Sequence, residues 1–152
     1  MAGIFIIAHA PLASALKLAA MHCFPEAAQA MQILDVPPNL PRDEIEAQAR
    51  VLLSMALDGD ARGEVLILTD VFGATPCNTM QSLADGVHVK IVTGANVPML
   101  WRTLNYVAEP LETLVMRAVA GGTQGVMQIG TNRPHNQIAA LTHDQDHHHH
   151  QQ

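Results

Sequence analysis

A histidine and an aspartate stand where two apolar runs give out. His9 follows Ile4-Phe5-Ile6-Ile7-Ala8, and Asp70 follows Val65-Leu66-Ile67-Leu68-Thr69. Continuous runs of this kind read as strands covered on both faces of a parallel sheet. Ligands of open α/β sheets gather outside the carboxyl ends of such strands. An uncharged imidazole is a nucleophile, and a carboxylate accepting from one ring nitrogen fixes the tautomer and turns the other lone pair outward. The same carboxylate would stabilise the positive ring formed once the outer nitrogen carries phosphate. A small anion, phosphate above all, suits this pair. Each residue also has a plainer use: a lone histidine after a strand is more often structural than reactive. Asp70 would serve equally to cap the turn behind it.

The neighbours add weight. Ala8 and Ala10 are small and Pro11 lacks an N–H, so the imidazole is uncrowded. A helix starting just after it is expected to bring free amides and a partial positive charge near the ring. Behind Asp70 runs Val71-Phe72-Gly73-Ala74-Thr75-Pro76-Cys77-Asn78. Thr75 then Pro76 predicts a helix opening, with a hydroxyl N-cap and proline at the first helical position. Gly73 lets backbone amides approach a ligand. A turn that merely links strand to helix would explain the glycine and proline, though not their place directly after an acid. No GxxxxGK[ST] loop is present, so nucleotide phosphates are not bound in that mode. Thr93-Gly94-Ala95-Asn96-Val97-Pro98-Met99-Leu100 forms a second wall of the same rim, with Asn96 a candidate helix cap and Met99 and Leu100 core or interface. His22, His88 and His135 lack ligand spacing and are read as surface or core. The run His147–His150 could bind transition metals adventitiously, as histidine-rich tracts do. No metal and no cofactor is expected.

The elements that must carry these residues alternate. Gly3–Ala8, Met31–Val36, Glu64–Thr69 and Val87–Val92 read as strands. Helices are expected over Leu12–Cys23, Pro41–Leu57, Pro76–Ala84 and Pro98–Val107. Another carries Leu111, Leu114, Val115, Ala118 and Val119 and stops at Gly121-Gly122. Pro41 and the acids Asp43, Glu44 and Glu46 mark the best-defined helix start. Gly125–Ile129 reads as a short last strand. The pattern predicts an α/β fold: a doubly wound, mostly parallel sheet of four strands plus a short C-terminal strand.

The 152 residues make one domain, 1–130, followed by a polar, His-rich tail, 131–152, expected to be disordered except where Ile138–Leu141 docks locally. Net charge is −6 with only 8 Lys+Arg, which argues against nucleic acid as a partner. No apolar run reaches the roughly 18–20 residues a membrane span needs. Met1-Ala2-Gly3 enters the first strand without a basic flank, so no signal peptide is read and a cytoplasmic protein is expected. Cys23 and Cys77 lack CxxC spacing and are expected to be buried, reduced thiols.

Taken together, the segments Ile7-Ala8-His9, Thr69–Asn78 and Val92–Leu100 resemble the mannose-type IIA component of the phosphoenolpyruvate-dependent sugar phosphotransferase system, from Gly3 to about Ile129. The resemblance implies that His9 is phosphorylated by the phosphocarrier protein HPr and passes the group to a IIB component. It implies Asp70 as the orienting carboxylate, and Thr75 with the neighbouring amides of Gly73 and Ala74 as phosphate contacts. It also implies a homodimer in which the last strand, here Val126–Ile129, is exchanged between subunits. Ala10, Phe72 and Ala74 depart from the glycine, tryptophan and second glycine common in relatives. They leave nucleophile, acid and helix opening intact and bear on partner choice. No alanine/proline-rich linker follows, so the IIB partner is expected as a separate protein.

Two other readings share part of this chemistry. A stand-alone regulatory phosphoprotein would use His9 identically; an adjacent IIB/IIC/IID gene set would mark transport instead. A histidine phosphatase or mutase carries arginine directly before its histidine, where this chain has Ala8. Turnover of phosphate esters without a carrier protein would mark that reading. A receiver domain would need an acidic pair at the end of the first strand to hold magnesium.

Overall fold

A computed structural model describes residues 1–130, so the tail, with Ile138–Leu141, His135 and His147–His150, lies outside the described residues. The strands are β1 (Gly3–His9), β2 (Gln32–Val36), β3 (Val65–Thr69) and β4 (Val89–Thr93). They lie in the order β2-β1-β3-β4, and every pairing is parallel. Chain progression therefore runs outward from the centre in both directions, β1 to β2 on one side and β3 to β4 on the other. The switch falls between β1 and β3, where Ile7 stands opposite Thr69. A crevice at such a point, outside the carboxyl ends of the strands, is where this architecture binds ligands.

Helices cover both faces, which is why the central strands are apolar throughout: every residue of β3 is buried. Ile4, Ile6 and Ala8 point with Leu66 and Leu68 towards α1 (Leu12–Met21), α5 (Val97–Asn105) and α6 (Leu111–Gln124). Phe5, Ile7 and Ile67 point the other way, onto Ile45, Ala49 and Leu53 of α3 (Arg42–Asp58) and Met80 of α4 (Thr75–Gln81). On α3, Ile45, Ala49, Leu53 and Ala56 form the buried stripe, with Leu52 half-buried beside it. On α1 the buried side is Ala13, Leu16 and Ala20, and Leu12 is exposed.

Several expectations need correction. A six-residue helix, α2 (Pro25–Ala30), precedes β2; it is too short to show a period, although Pro25 at its start and Glu26 in its first turn are ordinary opening signals. Cys23 is exposed while Cys77 is buried, because Cys23 falls in the turn past the end of α1 and off its apolar stripe. Gly121 and Gly122 do not end α6; they are buried within it, against α5. A Cβ on Gly121 would lie 2.5 Å from Cβ of Arg102, and one on Gly125 2.1 Å from Cβ of Pro98. These glycines let two helices touch. In an open helix Gly→Ala gains about 1 kcal/mol; here Gly121→Ala is expected to lose about 1 kcal/mol or more, because Arg102 Cβ is fixed to its backbone. Urea unfolding checks the sign, and a stabilised variant would contradict the close approach.

Residues 126–130 form no strand within the chain, and Val126, Met127 and Ile129 are largely exposed, Ile129 at 85 %. The segment has the apolar pattern of a strand without a neighbour to pair with. Among the described residues no helix is long and apolar enough to cross a membrane.

Candidate functional site

His9 closes β1 and Asp70 follows β3 directly, so two adjacent strands deliver them to one rim although 61 positions separate them in sequence. The contact is short. Asp70 Oδ2 lies 2.6 Å from His9 Nδ1 and also accepts the His9 backbone N–H at 2.9 Å. Its other oxygen, Oδ1, accepts the N–H of Val71 at 2.9 Å. The carboxylate is thereby held against both the main chain and the ring of the same residue. Burial alone would raise the Asp70 pKa; the hydrogen bonds from His9 and Val71, with the nearby imidazole, outweigh it and lower the pKa below the ordinary value. An ionised Asp70 can only accept, so in the uncharged ring Nδ1 carries the proton and Nε2 keeps the lone pair. The imidazole is 53 % exposed and the carboxylate 13 %, so the ring faces solvent while its partner is sheltered.

Because the folded protein lowers this pKa, the stabilisation it brings is complete above the unfolded aspartate value of about 4 and is lost as pH falls through the folded value. The Asp70 carboxyl carbon is accordingly expected to titrate below about 4 when followed by NMR. A midpoint at or above that range would contradict the geometry.

The α1 amides are less available than the sequence suggests. Asp35, near the end of β2, accepts from Ser14 N at 3.1 Å and from the Ser14 hydroxyl, and Ala10 N donates to Val36 O at 3.0 Å. A carboxylate from the protein already sits at the start of α1, where an anion would otherwise be favoured. Nothing in the sequence pattern around Asp35 announces this, since it is set by the β1–β2 register.

The loop behind Asp70 is pinned at its far end. Gly73 has φ +81°, and its carbonyl accepts from Asn78 Nδ2 at 2.9 Å. Phe72 is 72 % exposed at its tip, and Gly73 and Thr75 are exposed while Ala74 is half-buried. Thr75 is not the N-cap: Ala74 takes that place and Thr75 is already helical, because Asn78 N donates to Ala74 O and winds α4 one residue early. Pro76 then stands one position inside the expected one.

Beyond β4, Gly94 N donates to Asp70 O at 2.9 Å and Ala95 N to Thr69 O at 3.0 Å, so the second wall is bonded directly to the first. Asn96 caps α5 as expected, its Oδ1 accepting from Met99 N at 2.9 Å. Met99 and Leu100 are buried. His22 is exposed. His88 pairs at 3.3 Å with Asp85 on the opposite rim, just before β4, in a contact built within one turn.

The family model for the fructose IIA component of the phosphotransferase system matches residues 3–120. Among solved structures, the chain is similar to the mannose/sorbose-specific IIA subunit of the phosphotransferase system from Enterococcus faecalis, with 20 % identity and a TM-score of 0.75 over 86 % of this chain and 96 % of that one. Component EIIA of the phosphotransferase system from Streptococcus agalactiae is 19 % identical, with a TM-score of 0.72 over 84 % and 97 % of the two chains. The IIA protein associated with the fucose utilization operon of Streptococcus pneumoniae is 26 % identical, with a TM-score of 0.68 over 83 % and 91 %. No curated protein sequence matches the chain.

Proposed function

Since the chain belongs to the fructose/mannose-type IIA family and so takes part in phosphotransfer within a sugar phosphotransferase system, we propose that His9 is the residue that carries the phosphoryl group. It accepts the group from phospho-HPr and hands it to a IIB component. Nε2 attacks phosphorus in line as the bond to the donor's nitrogen breaks; the proton on Nδ1 stays in its bond to Asp70, which offsets the positive charge appearing on the ring. Such transfers depend on positioning and on donors for the equatorial oxygens. Thr75 and the amides of Gly73 and Ala74 are assigned that part, in a loop whose two ends are fixed at Asp70 and Asn78. The observation that carries the reading is the 2.6 Å contact between His9 Nδ1 and Asp70.

The test is incubation with phosphoenolpyruvate, enzyme I and HPr followed by intact-mass measurement. One added phosphoryl group, lost again on adding the IIB component, is expected; a protein that stays unmodified would refute the assignment.

The same proposal takes the protein to be a cytoplasmic homodimer. Its support is the exposed apolar segment Val126–Ile129 together with β4, which stands at one edge of the sheet; open edges and unpaired strands seek partners. Ile129→Glu is expected to shift sedimentation from dimer to monomer while leaving the fold intact. A wild-type chain that sediments as a monomer would remove this part of the proposal.

A further inference from the structure

The carboxylate that orients His9 is itself held by a chain of bonds running away from the rim, and one side chain closes that chain. Asp70 and Thr69 offer their carbonyls to Gly94 N and Ala95 N. Both amides can point the same way because Gly94 has φ +83°, a conformation open to glycine and strained for other residues. A Cβ there would meet nothing within 4 Å, so backbone conformation and not space demands the glycine. Asn96 follows Ala95. Its Oδ1 accepts from Met99 N at 2.9 Å, at the start of α5, and its Nδ2 donates to Gly122 O at 3.2 Å, in the last turn of α6. The first amides and last carbonyls of a helix have no partner inside it. One half-buried amide thus serves a donor of one helix and an acceptor of another. A Cβ on Gly122 would stand 3.6 Å from Asn96 Oδ1, in ordinary contact, so the two residues lie side by side.

We propose that Asn96 is a positioning residue for phosphoryl transfer at His9, acting through the loop of Gly94 and Ala95 that fixes the backbone of Asp70. Its two bonds clamp that loop between the ends of α5 and α6. Without the bond to Gly122 the loop is tied on one side only, and the Asp70 carboxylate loses its fixed height beside the ring. The proposal rests on His9 being the acceptor, as argued above.

Two variants separate the bonds. Asn96→Ser keeps an N-cap for α5 and loses the tie to α6; Asn96→Ala loses both. Two readouts are needed, the 15N shifts of the His9 ring at fixed neutral pH, which report the tautomer, and the rate of transfer from phospho-HPr. Asn96→Ser is expected to keep α5 and the fold, to populate the second His9 tautomer, and to slow transfer about tenfold, within the range that misplacement of reacting groups causes. The KM for the donor should not change. Asn96→Ala should behave alike and melt lower. A Ser variant with wild-type ring shifts and wild-type transfer, whatever its melting temperature, would overturn the proposal. The ring shifts decide independently of transfer: should His9 prove not to accept phosphate, an altered tautomer still supports the clamp, and only the transfer arm falls.

Discussion

His9→Ala is expected to take up no phosphoryl group from phospho-HPr, while its fold and melting behaviour stay close to wild type. The residue is more than half exposed, so removing the ring leaves no cavity and breaks no packing. One consequence does follow for Asp70, which loses the ring contact but keeps the amides of His9 and Val71; its carboxyl remains partnered. The effect on transfer is therefore complete and the effect on stability small, and that contrast identifies a nucleophile. Intact-mass measurement after incubation with phosphoenolpyruvate, enzyme I and HPr gives the answer directly. Persistent labelling in the variant would move the site elsewhere, with no other described histidine held by a carboxylate across the sheet.

The second large effect belongs to Asp70. Asp70→Ala is expected to leave the acceptor in place and to slow it, because nothing then holds Nδ1 protonated or the ring upright. Misplacing a reacting group by about 1 Å can cost about a hundredfold, and losing the counter-charge to the ring adds to that, so a drop of about a hundredfold or more in the transfer rate is expected. The variant should still reach full phosphorylation given time. Asp70→Asn is the finer comparison, since an amide can hold the His9 amide yet offers the ring either a donor or a neutral acceptor. If Asp70→Ala transferred at the wild-type rate, the carboxylate would be a turn cap and nothing more.

Much of this arrangement was legible in the residues. Buried parallel strands announce themselves as unbroken apolar runs, and chemistry after such a run has few places to be; this is why the sequence brings His9 and Asp70 together. What escaped was set by contacts between elements. Gly121-Gly122 carries the composition of a helix stop, yet the helix continues because α5 lies against it, and sequence alone does not distinguish a glycine that ends a helix from one that admits a neighbour. Thr75-Pro76 has the form of a cap and its follower, but Asn78 closes the turn from within and shifts the start by one. The bond from Asp35 to Ser14 depends on the β1–β2 register, which local pattern does not encode. Asn96 was readable as a cap; its second bond, to Gly122, spans 26 positions and was not.

The pairing of β1 with β3 has a consequence during synthesis. The histidine proposed as nucleophile is made at position 9 but its partner only at position 70, and nothing in the first two strands supplies another carboxylate to Nδ1. A ribosome that has released β1, β2 and α3 has therefore produced an ordinary surface histidine. Closing a loop of that length costs conformational entropy that the buried apolar side chains of β1 and β3 must offset, so the oriented ring arrives together with the middle of the sheet. On the proposed reading, a nascent chain that holds only β1 and β2 carries an acceptor as slow as that of Asp70→Ala until β3 joins the sheet.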